Sequence, residues 1–114
     1  MQDCLFCKFV SGEIETNKVF ENENVIAFKD INPVAAIHIL FIHKKHSDNI
    51  IEICNNDLRQ VSDIFEAIGQ WTQENQLDKS GFRIINNMGE DGGQTVFHTH
   101  FHVIGGQKLN PGLN

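Results

Sequence analysis

The chain has 114 residues, with 9 Lys and Arg against 15 Asp and Glu and a net charge of −6. That length holds one core, so residues 1–114 are read as a single domain, and with no basic stripe a nucleic-acid duplex is excluded as a partner. No apolar run approaches the roughly 20 residues of a membrane span, Met1-Gln2-Asp3 does not open a signal peptide, and three cysteines fit reduced thiols and a cytoplasmic location.

In chain order, Cys4 to Val10 is apolar and stops at Ser11-Gly12, which predicts one or two helical turns. Lys18–Phe20 and Val25–Phe28 flank the polar Glu21-Asn22-Glu23-Asn24 and predict a hairpin. Asp30-Ile31-Asn32-Pro33 is a turn, because Asn before Pro avoids the helical region. Ala35–Ile42 predicts a central strand that carries His38. Asn55-Asn56-Asp57 offers N-caps for one long helix to about Leu77, with Leu58, Val61, Phe65, Ile68 and Thr72 at helical spacing. Ile64, Ala67 and Trp71 form a second stripe, which one small sheet would leave for a partner helix to cover. Cys54, standing alone, is expected to be a small buried apolar residue. Phe82–Ile85 is a strand, Met88–Thr95 a glycine-rich loop, Val96–Ile104 a last strand, and 107–114 an irregular tail. The sum is α+β, with an antiparallel sheet, one long and one short helix.

The last strand reads His98-Thr-His100-Phe-His102. Alternate residues of a strand share a face, so the three imidazoles would line up about 6.6 Å apart, with Phe101 and Val103 on the other side. Imidazole serves as base, nucleophile or ligand near neutral pH, and a row of three is poorly explained as packing. The preceding loop holds Gly89, Gly92 and Gly93, whose freedom at positive φ can turn N–H groups toward an anion, while Gln94, Thr95 and Asn87 add neutral donors. Read alone, that loop is more readily a simple hairpin connection than an anion site. Beside the histidines it favours a phosphate cradle facing a nucleophile over a mononuclear metal site on the strand. Cys4-x-x-Cys7 is half of a tetrahedral metal site or simple packing, and only histidines are available to complete it.

These motifs resemble the histidine triad (HIT) family. His98-Thr-His100-Phe-His102-Val-Ile104 after Asp91-Gly-Gly-Gln-Thr95 is similar to the family signature. Cys4-Leu-Phe-Cys7-Lys8, Gly12-Glu-Ile14, Ala27-Phe-Lys-Asp30-Ile-Asn-Pro33 and Lys44-Lys-His46 resemble the Hint-like branch, which covers residues 4 to about 106. The resemblance implies a purine nucleoside phosphoramidate and aminoacyl-adenylate hydrolase working through a nucleotidyl-histidine intermediate. It also implies a homodimer joining two five-stranded sheets into ten strands, and AMP or GMP derivatives as ligands. By motif position His100 would be the nucleophile, His102 a phosphate contact, Gln94 and Thr95 neighbours of the scissile bond, and His38 a histidine bonded within the site. Asn87 and Gly93 would border the phosphate, Asp30 would hold the ribose, and Leu5, Phe6, Phe9, Phe28 and Ile31 the purine. Cys4, Cys7, His46 and His98 would bind one structural zinc, with no organic cofactor. A dinucleoside polyphosphate hydrolase and a regulatory nucleotide-binding dimer are the alternatives. The chain departs from the pattern at His43, where proline is usual, at Met88, and in a tail without tryptophan.

Overall fold

The computed structural model describes residues 4–112. The opening Met1-Gln2-Asp3 and the last two tail residues lie outside that range. Helix α1 (Leu5–Ser11) precedes β1 (Lys18–Glu21), β2 (Val25–Lys29) and β3 (Ile37–His43); α2 (Ile50–Asn56), α3 (Arg59–Glu74) and α4 (Leu77–Ser80) follow, then β4 (Phe82–Ile85) and β5 (His100–Gly105). The strands form one antiparallel sheet in the order β1-β2-β3-β5-β4. This is the expected α+β architecture, with β4 and β1 as the edges.

Strand alternation divides the core between two faces. On one face Val25, Ala27, Ile39, Phe41, Phe101 and Val103 pack under α3 through Ile64, Ala67, Ile68 and Trp71. On the other, Ile26, Phe28, Leu40 and Ile42 pack against Phe6 of α1. Because β3 and β5 pair Leu40 with His102 and Ile42 with His100, both of these imidazoles emerge on the α1 face. Helix α1 starts where the Cys4 thiol accepts the Cys7 N–H at 3.3 Å, and it stops at Gly12, whose φ of 84° suits glycine.

Several sequence expectations need correction. The expected long helix is present as α3, but α2 precedes it and α4 follows it, making four helices in all among the described residues. Asn56 and Asp57 end α2, and Asp57 (φ −161°, ψ 74°) breaks the run before α3. The start signal that applies is Asn49-Ile-Ile-Glu52: the Asn49 side chain accepts the Glu52 N–H, and Glu52 accepts that of Asp48. Cys54 is exposed, since α2 turns its neighbour Ile53 inward. The last strand begins only at His100, because Thr99 N–H bonds the Ser47 carbonyl at 2.8 Å and draws residues 96–99 off the sheet. The three histidines therefore do not share one strand face.

The stripes of the long helix divide differently from the expectation, although Ile68 and Thr72 of the first stripe are buried as expected. Ile64, Ala67 and Trp71, assigned above to a partner, cover the sheet together with Ile68, at i, i+3, i+4 and i+7. Leu58 and Phe65 of the other stripe are 61% and 44% exposed. The Trp71 ring meets Phe41 edge-on at 6.0 Å, which makes it a core side chain. Residues 107–112 are irregular, tied down where Arg83 donates to the Asn110 carbonyl. Among the described residues no helix is long and apolar enough to cross a membrane.

Emptying the Trp71 site should be costly. Trp71→Ala is expected to lower unfolding free energy by about 3–5 kcal/mol, read from denaturant titration. A loss below about 1 kcal/mol would contradict its placement in the core.

Candidate functional site

Hydrogen-bond partners fix the tautomer of each site histidine, and the tautomers decide the chemistry. His100 Nδ1 lies 2.8 Å from the His98 carbonyl, which can only accept, so Nδ1 carries the hydrogen and Nε2 keeps a bare lone pair. Asn86 bonds the His100 carbonyl at 2.9 Å from the β4 side, and Phe6 stands edge-on to the ring at 5.2 Å. Burial lowers the His100 pKa, working against the bond to the His98 carbonyl and the Asp30 charge. The ring is neutral at neutral pH.

His102 has the complementary form. The Val34 N–H donates to His38 Nδ1 at 3.2 Å, so His38 carries its hydrogen on Nε2. That nitrogen is 2.9 Å from His102 Nδ1 and 3.4 Å from Asp30 Oδ2. His102 Nδ1 thus accepts, and its own hydrogen sits on Nε2. Burial, followed by repulsion from His100 and His38, pushes the His102 pKa down to about 4. The two rings are 5.1 Å apart, one with a lone pair to give and the other with an N–H.

A second group lies beside this pair. The ligand atoms of Cys4, Cys7, His46 and His98 all lie within 4.8 Å of one another. His98 Nδ1 is 3.3 Å from Cys4 Sγ, 3.5 Å from Cys7 Sγ and 3.3 Å from His46 Nδ1, and Cys7 Sγ is 3.3 Å from His46 Nδ1. Tetrahedral zinc with bonds of about 2.05 Å to nitrogen and about 2.3 Å to sulfur has edges of roughly 3.3–3.7 Å. His98 Nε2 donates to the His43 carbonyl at 2.9 Å and His46 Nε2 to Asp48 at 2.7 Å. Both Nδ1 atoms are therefore bare and face each other, an arrangement that could hold a cation. Burial pushes the His98 pKa down to about 4, and burial followed by the Cys4 side chain pushes the Cys7 thiol up to about 11, so a metal must displace the thiol proton. Asp30, His38 and His102 also converge within 4.8 Å, but His38 Nε2 carries a hydrogen there. A proton holds that group together.

The remaining candidates fall into place around these centres. Phe6, Phe9 and Phe28 form an aromatic cluster with centroids 5.0–5.8 Å apart. Leu5 and Ile31 are exposed, Ile31 at 89%. Asp30 uses Oδ1 to accept the Asn32 N–H at 2.8 Å. Asn87 donates to the Gly92 carbonyl at 2.7 Å, and a Cβ at Gly92 would strike the Met88 carbonyl. Gly93 takes φ 82°. Gln94 is buried as a brace: its amide donates to the carbonyls of Asp48 (2.7 Å) and Val96 (3.1 Å) and accepts the Gly89 N–H (3.0 Å). Thr95 is exposed. Sequence reading passed over Asn86, Asp48, Asp63 and the Ser47–Thr99 hydroxyl pair at 2.9 Å. Only Asp48, two residues after His46, carried a local signal.

Residues 11–109 match the HIT domain. The structure superimposes on a histidine triad protein from Clostridium difficile with a TM-score of 0.93 and 47% identity, covering 96% of each chain. A HIT family hydrolase from Legionella pneumophila gives a TM-score of 0.90 and 38% identity, over 96% of this chain and 97% of that one. A HIT-like protein of Rickettsia prowazekii is 39% identical over 92% of this chain and 88% of its own.

Acid should find these imidazoles first. A histidine held near 4 when folded and near about 6.5 when unfolded binds fewer protons folded between those values. Stability is then complete above about pH 6.5 and falls as pH drops toward about 4. Denaturant midpoints across that window should decline, and a flat profile would contradict buried neutral His98 and His102.

Proposed function

The chain belongs to the HIT family, and from that premise we propose that it hydrolyses purine nucleoside phosphoramidates and aminoacyl adenylates through a nucleotidyl-histidine intermediate. The observation that carries this reading is the bond from His100 Nδ1 to the His98 carbonyl, which leaves Nε2 as a nucleophile. The Nε2 lone pair forms a bond to the α-phosphorus. The bond to the leaving amine or acyl oxygen breaks, and that group departs with the electron pair and takes up a proton from its surroundings. Water then attacks phosphorus and gives up a proton to solvent, the bond to His100 breaks with its electron pair returning to Nε2, and the nucleoside monophosphate leaves.

The other residues bind and orient. His102, with its hydrogen on Nε2, donates to a phosphate oxygen whose charge grows as the nucleophile attacks. Thr95, exposed after the glycine loop, faces the scissile bond, and Gly93 and Asn87 border the phosphate. Gln94 serves that loop by bracing it. Asp30 receives the ribose hydroxyls, and Phe9, backed by the buried rings of Phe6 and Phe28, forms the apolar purine pocket with the exposed Leu5 and Ile31. The Cys4, Cys7, His46 and His98 set fits a structural zinc, which would supply a rigid anchor for His98 and no step of the reaction. A homodimer is supported by β4 standing at the edge of the sheet and by the exposed apolar side chains of Phe65 on α3 and of Leu58 just before it.

His100→Ala should lose at least about 10³-fold in turnover of an adenosine phosphoramidate while still binding AMP, and wild type quenched on a slow substrate should carry a nucleotidyl group on His100. More than a tenth of wild-type activity in the variant would reject the nucleophile. Asp30→Asn should weaken ribonucleotides more than 2′-deoxy analogues, because each charge-assisted bond is worth about 1.5–3 kcal/mol; titration calorimetry showing equal losses would remove the ribose role. For the assembly, Phe65→Glu should yield monomers by light scattering, and a monomeric wild type at micromolar concentration would end the dimer reading.

A further inference from the structure

We infer that His43 and Asp63 form a positioning pair that sets which ring nitrogen His98 offers to the cysteine–histidine cluster. His43 closes β3 with its side chain toward α3 and is only 8% exposed. Its ring is gripped at both nitrogens. The Lys45 N–H donates to Nδ1 at 3.0 Å, so Nε2 carries the hydrogen and donates to Asp63 Oδ2 at 2.9 Å. Asp63 is anchored within α3, so the grip joins the helix to the end of the strand. A ring held at both ends cannot turn without losing a bond, which fixes the His43 main chain as well.

The His43 carbonyl is the group that receives the His98 Nε2–H at 2.9 Å. The His98 ring is 1% exposed and its Nδ1 faces two sulfurs and a second bare nitrogen. Without a well-placed acceptor on the Nε2 side, the alternative tautomer would direct a hydrogen from Nδ1 into the cluster. The neighbouring Thr99–Ser47 bonds hold the chain after His98 and do not touch its ring. Orientation of the ring thus falls to the His43 carbonyl, whose peptide is held on one side by the Lys44 N–H bond to the Asn24 carbonyl at 2.8 Å and, through the His43 side chain, on the other by Asp63. A plain helix anchor would affect stability alone; a positioning pair also affects the tautomer of His98. The consequence for metal affinity rests on the zinc reading above, whereas the tautomer does not.

Two-bond ¹H–¹⁵N spectra of metal-free protein with labelled imidazoles read the tautomer directly. Wild type should show His98 with its hydrogen on Nε2 alone. His43→Phe, which keeps ring volume and removes both bonds, should introduce the second tautomer and weaken zinc about 10–100-fold in competition with a chelator. Asp63→Leu should act in the same direction and carries the test where His43→Phe does not fold. Asp63→Asn, whose amide oxygen still accepts from Nε2–H, should stay near wild type. The core control Ile64→Val should lower the thermal midpoint and leave tautomer and zinc affinity unchanged. A wild-type tautomer in both His43→Phe and Asp63→Leu overturns the inference, whatever zinc does. A wild type that binds no zinc overturns the metal reading instead, and the tautomer result still decides the role of His43 and Asp63.

Discussion

The architecture depends on the two hydrogen bonds made by His98. Through its ring the residue donates to the His43 carbonyl, and through its own carbonyl it receives the hydrogen of His100. The first bond leaves a lone pair aimed at Cys4, Cys7 and His46, and the second leaves a lone pair on Nε2 of His100. One residue therefore links the buried cluster to the imidazole two positions along. Neither bond is strong alone, since a buried neutral hydrogen bond nets about 1 kcal/mol. Their value lies in direction. Each forbids one tautomer of its ring, and the chemistry follows from the tautomer that remains.

Much of this was legible in the sequence where local chemistry was unambiguous. The β-rich run Ala35–Ile42 and the apolar residues of β5 made the two central strands legible, and Cys4-x-x-Cys7 with His46 and His98 did assemble. The failures share a cause: tertiary contacts overrode local pattern. Asn56-Asp57 looks like a helix start and serves as a helix break, because α2 already occupies the residues before it. Val96–Thr99 looks like strand and leaves the sheet, because the 43–47 turn bonds its backbone and the His98 ring. Trp71 looks surplus to a small sheet, yet Phe41 leaves it a socket.

The two polar clusters show what ligand spacing alone omits. Both bring histidines and acids or thiols within 4.8 Å. In one, the outer nitrogens of His46 and His98 donate to Asp48 and to the His43 carbonyl, so the inner atoms converge as lone pairs. In the other, a backbone N–H on the outer nitrogen of His38 forces the hydrogen inward. The direction of one outer hydrogen bond separates a ligand set from a hydrogen-bonded set. Ligand types alone do not record that direction, because two of the three outer partners, the His43 carbonyl and the Val34 N–H, are main-chain groups and only Asp48 is a side chain.

Gln94 has a consequence for motion. A segment with Gly89, Gly92 and Gly93 would ordinarily be the softest part of a small domain, prone to local opening at little free-energy cost. Here a single buried amide bolts it at three points, to Gly89, Val96 and the carbonyl of Asp48. Asp48 in turn carries His46. Loosening the loop therefore requires releasing the turn that supports the cysteine–histidine cluster, so the two regions open as one unit. Amide exchange in the loop should report the stability of that cluster rather than the flexibility of its glycines.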